Sequence, residues 1–348
     1  MMKAPNAGKV PGTQHRRLTL LTAIGLLGAF GWLVPHETLA APADYQRPEL
    51  RIPKDSTLTP ERIALGKALF FDPRLSGSNW ISCATCHNPA LGWSDGLPTA
   101  IGHNMQVLGR ATPTILNTAY NKKQFWDGRS PTLEHQALGP IEAAGEMNQT
   151  LAELIPELKA IPGYELMFER AYPQEGITDK TIAKAIAAFE RTIVSTEAPF
   201  DRWVSGDESA ISDAAKRGFA LFEGKANCAA CHQKFNFVDD GFHNIGLPST
   251  DDPGRYVLVK VDVLQGAFKT PTLRDITRTA PYMHNGVYAT LAEVIDHYDV
   301  GGVNKSNLDP NMKPLRLTAS EKKDLTEFLK ALTGAPLEIT VPNLPSAF

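Results

Sequence analysis

Every cysteine in the chain lies in one of two five-residue motifs, Cys83-Ala84-Thr85-Cys86-His87 and Cys228-Ala229-Ala230-Cys231-His232. C-x-x-C-H is the attachment pattern of c-type haem. Its two thiols form thioethers with the two vinyl groups of one porphyrin, and the adjacent histidine becomes the proximal iron ligand. Two matches that use all four cysteines leave none for a disulfide. A Cys/His zinc site or a redox thiol pair is the competing use of such residues. A zinc knuckle, however, wants its cysteine pairs close together, and these lie in opposite halves of the chain.

The wide separation suggests one haem per domain, and 348 residues suffice for about two domains. The halves also resemble each other. "GKALFFD" (Gly66–Asp72) precedes the first haem motif and "GFALFEG" (Gly218–Gly224) the second. Downstream, "TPTILNTAYNKKQFWDG" (Thr112–Gly128) aligns without a gap on "TPTLRDITRTAPYMHNG" (Thr270–Gly286). Helical patterns cover Pro60–Phe70, Thr150–Leu158, Thr178–Ser195, Asp213–Phe222, Thr290–Tyr298 and Thr318–Leu332. Several open on Thr, Ser or Asp as N-cap, and the last carries a capping-box pattern at Ser320. Alternating strand runs are scarce. The expected class is all-α: two cytochrome-c-like haem domains related by internal duplication, at residues 41–205 and 206–348.

At the N-terminus Arg16 and Arg17 precede an uncharged apolar run, Leu18–Val34, followed by Pro35 and "TLAAPA". This reads as a signal peptide, residues 1–40, cleaved after Ala40, and points to the periplasm. The run is short for a spanning helix, although an uncleaved anchor is the rival reading. A net charge of −3 with no long basic or acidic run gives a nucleic-acid partner no electrostatic support.

The gapless repeat allows the two irons to be compared. Pro113 aligns with Pro271, and an equal step onward reaches Pro140 in the first half and Tyr298 in the second. One slot thus holds a residue that cannot ligate iron and a phenol that can. The second haem is expected to be six-coordinate and the first open to a small ligand, which suggests peroxide or dioxygen chemistry. The same register sets Trp126 opposite His284, both in turn-like segments near the domain junction.

These segments, with "CATCHNPALGWSDGLPTAIGH" and "GPIEAAGEMN", resemble the bacterial di-haem cytochrome c peroxidases and their relative MauG over nearly all of the mature chain. The resemblance implies that the haem on His87 reacts with hydrogen peroxide. It implies that the haem on His232 takes electrons from a small donor, a cytochrome c or a cupredoxin, with Trp126 as relay between them. Glu146 is then the distal general acid–base, and Gln136 lines the same pocket. His103 matches a histidine that caps the first iron in resting peroxidases and is released on reduction of the second haem. Tyr298 stands where those peroxidases carry Met and where MauG carries Tyr. If Tyr298 only packs against the porphyrin, Met312 or His297 is the substitute ligand. An interdomain calcium would take carbonyls from Thr279 and Pro281, but the family's side-chain Asn is Ala111 here.

Three readings compete. The first is a peroxidase reducing hydrogen peroxide to water with electrons from a periplasmic donor protein. The second is a MauG-like enzyme that oxidises or modifies a partner protein through a bis-ferryl state. The third is an electron carrier with both irons permanently six-coordinate, against which the Pro140/Tyr298 asymmetry argues. A homodimer is left open.

Overall fold

The computed structural model describes residues 43–248 and 251–346; the expected signal peptide, with its apolar run, lies outside the described residues. Among the described residues ten α-helices follow in order, with short 3-10 turns between them: α1 (Pro60–Phe71), α2 (Cys83–Cys86), α3 (Leu133–Glu142), α4 (Leu151–Lys159), α5 (Pro162–Ala171), α6 (Asp179–Glu190), α7 (Pro199–Val204), α8 (Asp213–Glu223), α9 (Leu291–Asp299) and α10 (Ala319–Ala331). The strict all-α expectation needs one correction. Two short strands, β1 (Phe242–His243) and β2 (Phe268–Lys269), pair antiparallel, with Phe242 opposite Lys269 and His243 opposite Phe268.

Helix starts follow the capping chemistry. The hydroxyls of Thr59, Thr150, Thr178, Ser212, Thr290 and Thr318 each accept a backbone N–H of the first turn. At α10 the box is closed by Thr318 and Glu321 rather than by Ser320, which already lies inside the helix. The expected helix through Ser195 stops at Glu190. Beyond it Asn117 takes the backbone: its N–H donates to the Ile193 carbonyl, and its side-chain amide bonds Ser195. Helix α3 is not among the expected helices, although Thr132 caps it in the same way by accepting the His135 N–H and Thr132-Leu133 recurs as Thr290-Leu291 at α9; its interior holds Pro140.

Two helix crossings organise the molecule: α1 packs on α6, and α8 on α10. Both pass at a glycine. A Cβ on Gly66 would lie 1.8 Å from the Ala185 carbonyl oxygen, and one on Gly218 2.0 Å from that of Asp324. These are the glycines that open "GKALFFD" and "GFALFEG", so the shared segments build the same close approach in each half.

Two hydrophobic cores result. The first joins Leu65, Leu69, Phe70, Trp93, Phe168, Ile186 and Phe189. The second joins Phe200, Trp203, Phe219, Phe222, Phe237 and Phe328, with Tyr45 from the N-terminal segment. Helix α7 packs in this second core although it precedes residue 206. Phe328 is fully buried and meets Phe222 at 4.9 Å between ring centres and Phe219 at 5.4 Å. Phe328→Ala is expected to cost about 3–5 kcal/mol, read as a lower urea midpoint by far-ultraviolet dichroism.

Candidate active site

Both C-x-x-C-H motifs form a single turn in which the histidine N–H donates to the first cysteine's carbonyl, at 2.8 Å for His87 and 2.8 Å for His232. Each imidazole is then oriented by its Nδ1, which bonds the Trp93 carbonyl (3.2 Å) in one and the Phe237 carbonyl (2.9 Å) in the other. With Nδ1 as donor, Nε2 presents its lone pair. Burial lowers the pKa of both rings, that of His232 to about 4, which keeps them neutral as iron ligands must be.

Two cavities open beside these turns. The first, about 640 Å³, holds Cys83, Cys86 and His87; the second, about 360 Å³, holds Cys228, Cys231 and His232. Burial pushes the Cys86 thiol up to about 11 and the Cys228 thiol to about 12. Cysteines outside any disulfide beside an imidazole in a largely apolar hollow are what a covalently tethered porphyrin requires, and the residues fit one haem in each cavity. The cysteine pairs face different hollows, so they do not assemble into one four-cysteine zinc site.

Over the first cavity the structure gathers Gln136, Pro140, Glu146 and Arg129. Glu146 is half-buried; burial raises its carboxyl pKa, and the Arg129 guanidinium opposes the shift. Pro140, on α3, faces the cavity and offers no donor atom. His103 does not line it. Its backbone N–H bonds the Gly145 and Glu146 carbonyls, Nε2 sits 3.2 Å from the Asn148 amide, and Nδ1 is buried without a partner. The histidine is strapped beside Glu146, outside the cavity.

Tyr298, near the end of α9, lines the second cavity with His232, and Met312 does so from a loop. Burial, together with the neighbouring Cys228 and Cys231, raises the Tyr298 phenol pKa. His297 is committed elsewhere: Nδ1 meets the Tyr288 hydroxyl and Nε2 the Ile245 carbonyl, both at 2.9 Å. The adjacent histidine is therefore no substitute ligand in this arrangement.

Trp126 lines both cavities. Its indole N–H donates to the Ala111 carbonyl at 2.9 Å, and its ring meets His284 at 6.3 Å, edge to face. The aligned turns share a backbone pattern: Gln124 N–H donates to Ser130 and Tyr282 N–H to Tyr288. Arg110 ties the junction, reaching Asp127 with one nitrogen and Asp252 with two.

Thr279, Pro281 and Ala111 all border the first cavity, but position 111 has no side-chain oxygen and its carbonyl is occupied by Trp126. Sequence reading missed Arg129, Glu190 and Lys269 as cavity residues. Arg129 directly follows the "FWDG" turn and Lys269 directly precedes the second repeat, so adjacency to the repeat was the available signal. It also missed His243, clamped between Asp239 (2.8 Å) and Asp309 (2.6 Å). The hydrogen bond to Asp239 first, then those to Cys231 and Asp309, raise its pKa to about 11 against the effect of burial.

Comparison with known proteins agrees with this geometry. Residues 60–209 match the model of the family described as di-haem cytochrome c peroxidase, and residues 215–333 that of cytochrome c. The chain is 51% identical to the methylamine utilization protein MauG of Methylorubrum extorquens over 88% of each chain. It is 33% identical to the cytochrome c551 peroxidase of Pseudomonas aeruginosa over 89% of this chain and 88% of that one. A crystal structure of a MauG-like protein associated with microbial copper homeostasis superposes with a TM-score of 0.79 at 32% identity, covering 88% of this chain and 96% of that one. With both haem-attachment turns intact, the chain belongs to the di-haem cytochrome c peroxidase family, as a peroxidase-type oxidoreductase with two c-type haems.

Proposed function

We propose that this chain is a MauG-like enzyme of the periplasm that spends the oxidising power of hydrogen peroxide on a partner protein. The observation that supports it is Tyr298 on the wall of the second cavity, beside His232, with Pro140 in the corresponding place of the first. When bound, each haem supplies an iron that exchanges single electrons, and the first also offers a face to peroxide. The chain's own residues do the rest. Pro140 keeps the distal side of the first cavity free of a protein ligand. Gln136 can hydrogen-bond the peroxide. Glu146 takes a proton from one peroxide oxygen and returns it to the other, where the O–O bond breaks. Over the full reaction hydrogen peroxide takes up two electrons and two protons and leaves as two waters. Burial raises the carboxyl pKa and Arg129 restrains it, which makes the group a better proton acceptor than a solvated carboxylate. Trp126 carries charge between the cavities. Burial keeps the Tyr298 phenol protonated in the protein alone; as an iron ligand it would give up that proton and favour the oxidised state of the second centre. A calcium ion would rest on the carbonyls of Thr279 and Pro281 and on water, without help from position 111.

The test is stoichiometric peroxide added to the all-ferric protein. The expected result is a two-electron-oxidised state that persists, with slow turnover of reduced cytochrome c; rapid turnover would reject the proposal. The second reading, a peroxidase fed by a small cytochrome c or cupredoxin, draws on His103, whose loop is bonded to the Glu146 backbone. His103→Gly separates the two. We expect the ferric protein to react with peroxide at an unchanged rate. A capping histidine would instead make the wild type, but not the variant, depend on prior reduction.

A further inference from the structure

One partly buried cation has no part in the chemistry above. Lys269 lies on β2, and its backbone N–H donates to the Trp126 carbonyl at 2.7 Å. Like Trp126, it lines both cavities. Its Nζ makes one hydrogen bond, to the Thr270 carbonyl at 3.2 Å. Among the described residues no carboxylate stands within ion-pair distance of it. The acids whose charge reaches it are engaged elsewhere. Asp239 binds His243, Thr270 and the Gly241 N–H, and Asp240 binds Lys122. Asp252, which also borders both cavities, accepts two hydrogen bonds from Arg110 and one from the Gly254 N–H.

Of the other cations on the cavity walls, Lys313 borders the second cavity alone and is exposed, and the rest already have partners. Arg110 has Asp127 and Asp252, Arg129 has Asp127, and His243 has Asp239 and Asp309. Burial accordingly pulls the Lys269 pKa down to about 8. A buried ammonium either finds an anion or gives up its proton. The protein carries two groups that bring anions: a c-type porphyrin has two propionate carboxylates, and each cavity is built for one porphyrin.

We propose that Lys269 is a shared counterion, pairing with a porphyrin carboxylate from each cavity and coupling the two redox centres through one fixed positive charge. This rests on the reading that the chain binds two haems. A cation close to both centres favours their reduced forms, because an added electron is attracted to it. Lys269 is thus a positioning and electrostatic residue; it has no contact with peroxide in this proposal.

The experiment uses the haem-loaded protein and its variants Lys269→Met, Lys269→Gln and Lys269→Arg. Haem content is counted first, and the midpoint potentials of both centres are then measured by spectroelectrochemistry. The expected result is two haems in every variant, a fall of both potentials in the Met and Gln proteins, and wild-type potentials in the Arg protein. Gln can keep the hydrogen bond to the Thr270 carbonyl, so it serves if Met does not fold. Unmoved potentials in a two-haem Met or Gln protein overturn the proposal, and a fall at one centre alone overturns the sharing. A merely structural lysine would shift Met and Arg proteins alike. Wild-type protein with fewer than two haems would instead overturn the reading underneath.

Discussion

Glu146→Gln is expected to slow the reaction of the ferric protein with peroxide by about 10²–10⁴-fold, the usual worth of a positioned proton carrier. Haem content should be unchanged, since Glu146 lies away from both attachment turns in sequence and holds no cysteine. The carboxyl stands on the first cavity with Gln136 and Pro140, where burial raises its pKa and Arg129 lowers it. Glutamine keeps the shape and hydrogen-bonding reach but cannot release and recover a proton at the same atom. Stopped-flow absorbance of the Soret band reads the rate. A rate within twofold of wild type would remove Glu146 from the proton transfer and leave Gln136 or water to do it.

Tyr298→Met should move the protein toward ordinary peroxidase behaviour. A thioether is neutral and soft and raises the potential of a haem it binds, whereas a phenolate favours the oxidised metal. The two-electron-oxidised state should therefore decay at least roughly tenfold faster, equivalent to about 1.4 kcal/mol, and reduced cytochrome c should be consumed faster. The companion variant Met312→Leu should change neither quantity. If Met312→Leu alters the spectrum of the second centre and Tyr298→Met does not, the loop methionine is the ligand and the proposed function loses its main support. Both side chains border that cavity, so only the pair of variants separates them.

Much of this site was legible in one dimension because it is built from local chemistry. A C-x-x-C-H motif closes its own turn: the hydrogen bond from each histidine N–H to the first cysteine's carbonyl needs no partner from elsewhere. The gapless repeat carried the comparison of Pro140 with Tyr298, because equal spacing on equal helices brings equal positions to the cavity. Capping residues marked the starts at Thr150, Thr178 and Thr290 for the same local reason.

Other features depend on what the chain meets far along its length. The helix expected to reach Ser195 ends early because Asn117, far away along the chain, bonds that backbone. Nor could spacing tell that His103 stands outside the first cavity, strapped to the Glu146 backbone. Arg129 and Lys269 lie one residue outside the aligned repeat segments and look like ordinary solvated charges in the sequence. The sequence by itself pointed to two tethered porphyrins and to the residues that would hold them, since thioether and imidazole chemistry is set within five consecutive positions. Tertiary packing decided which side chains surround them, because burial and cross-chain hydrogen bonds exist only once distant segments share one wall.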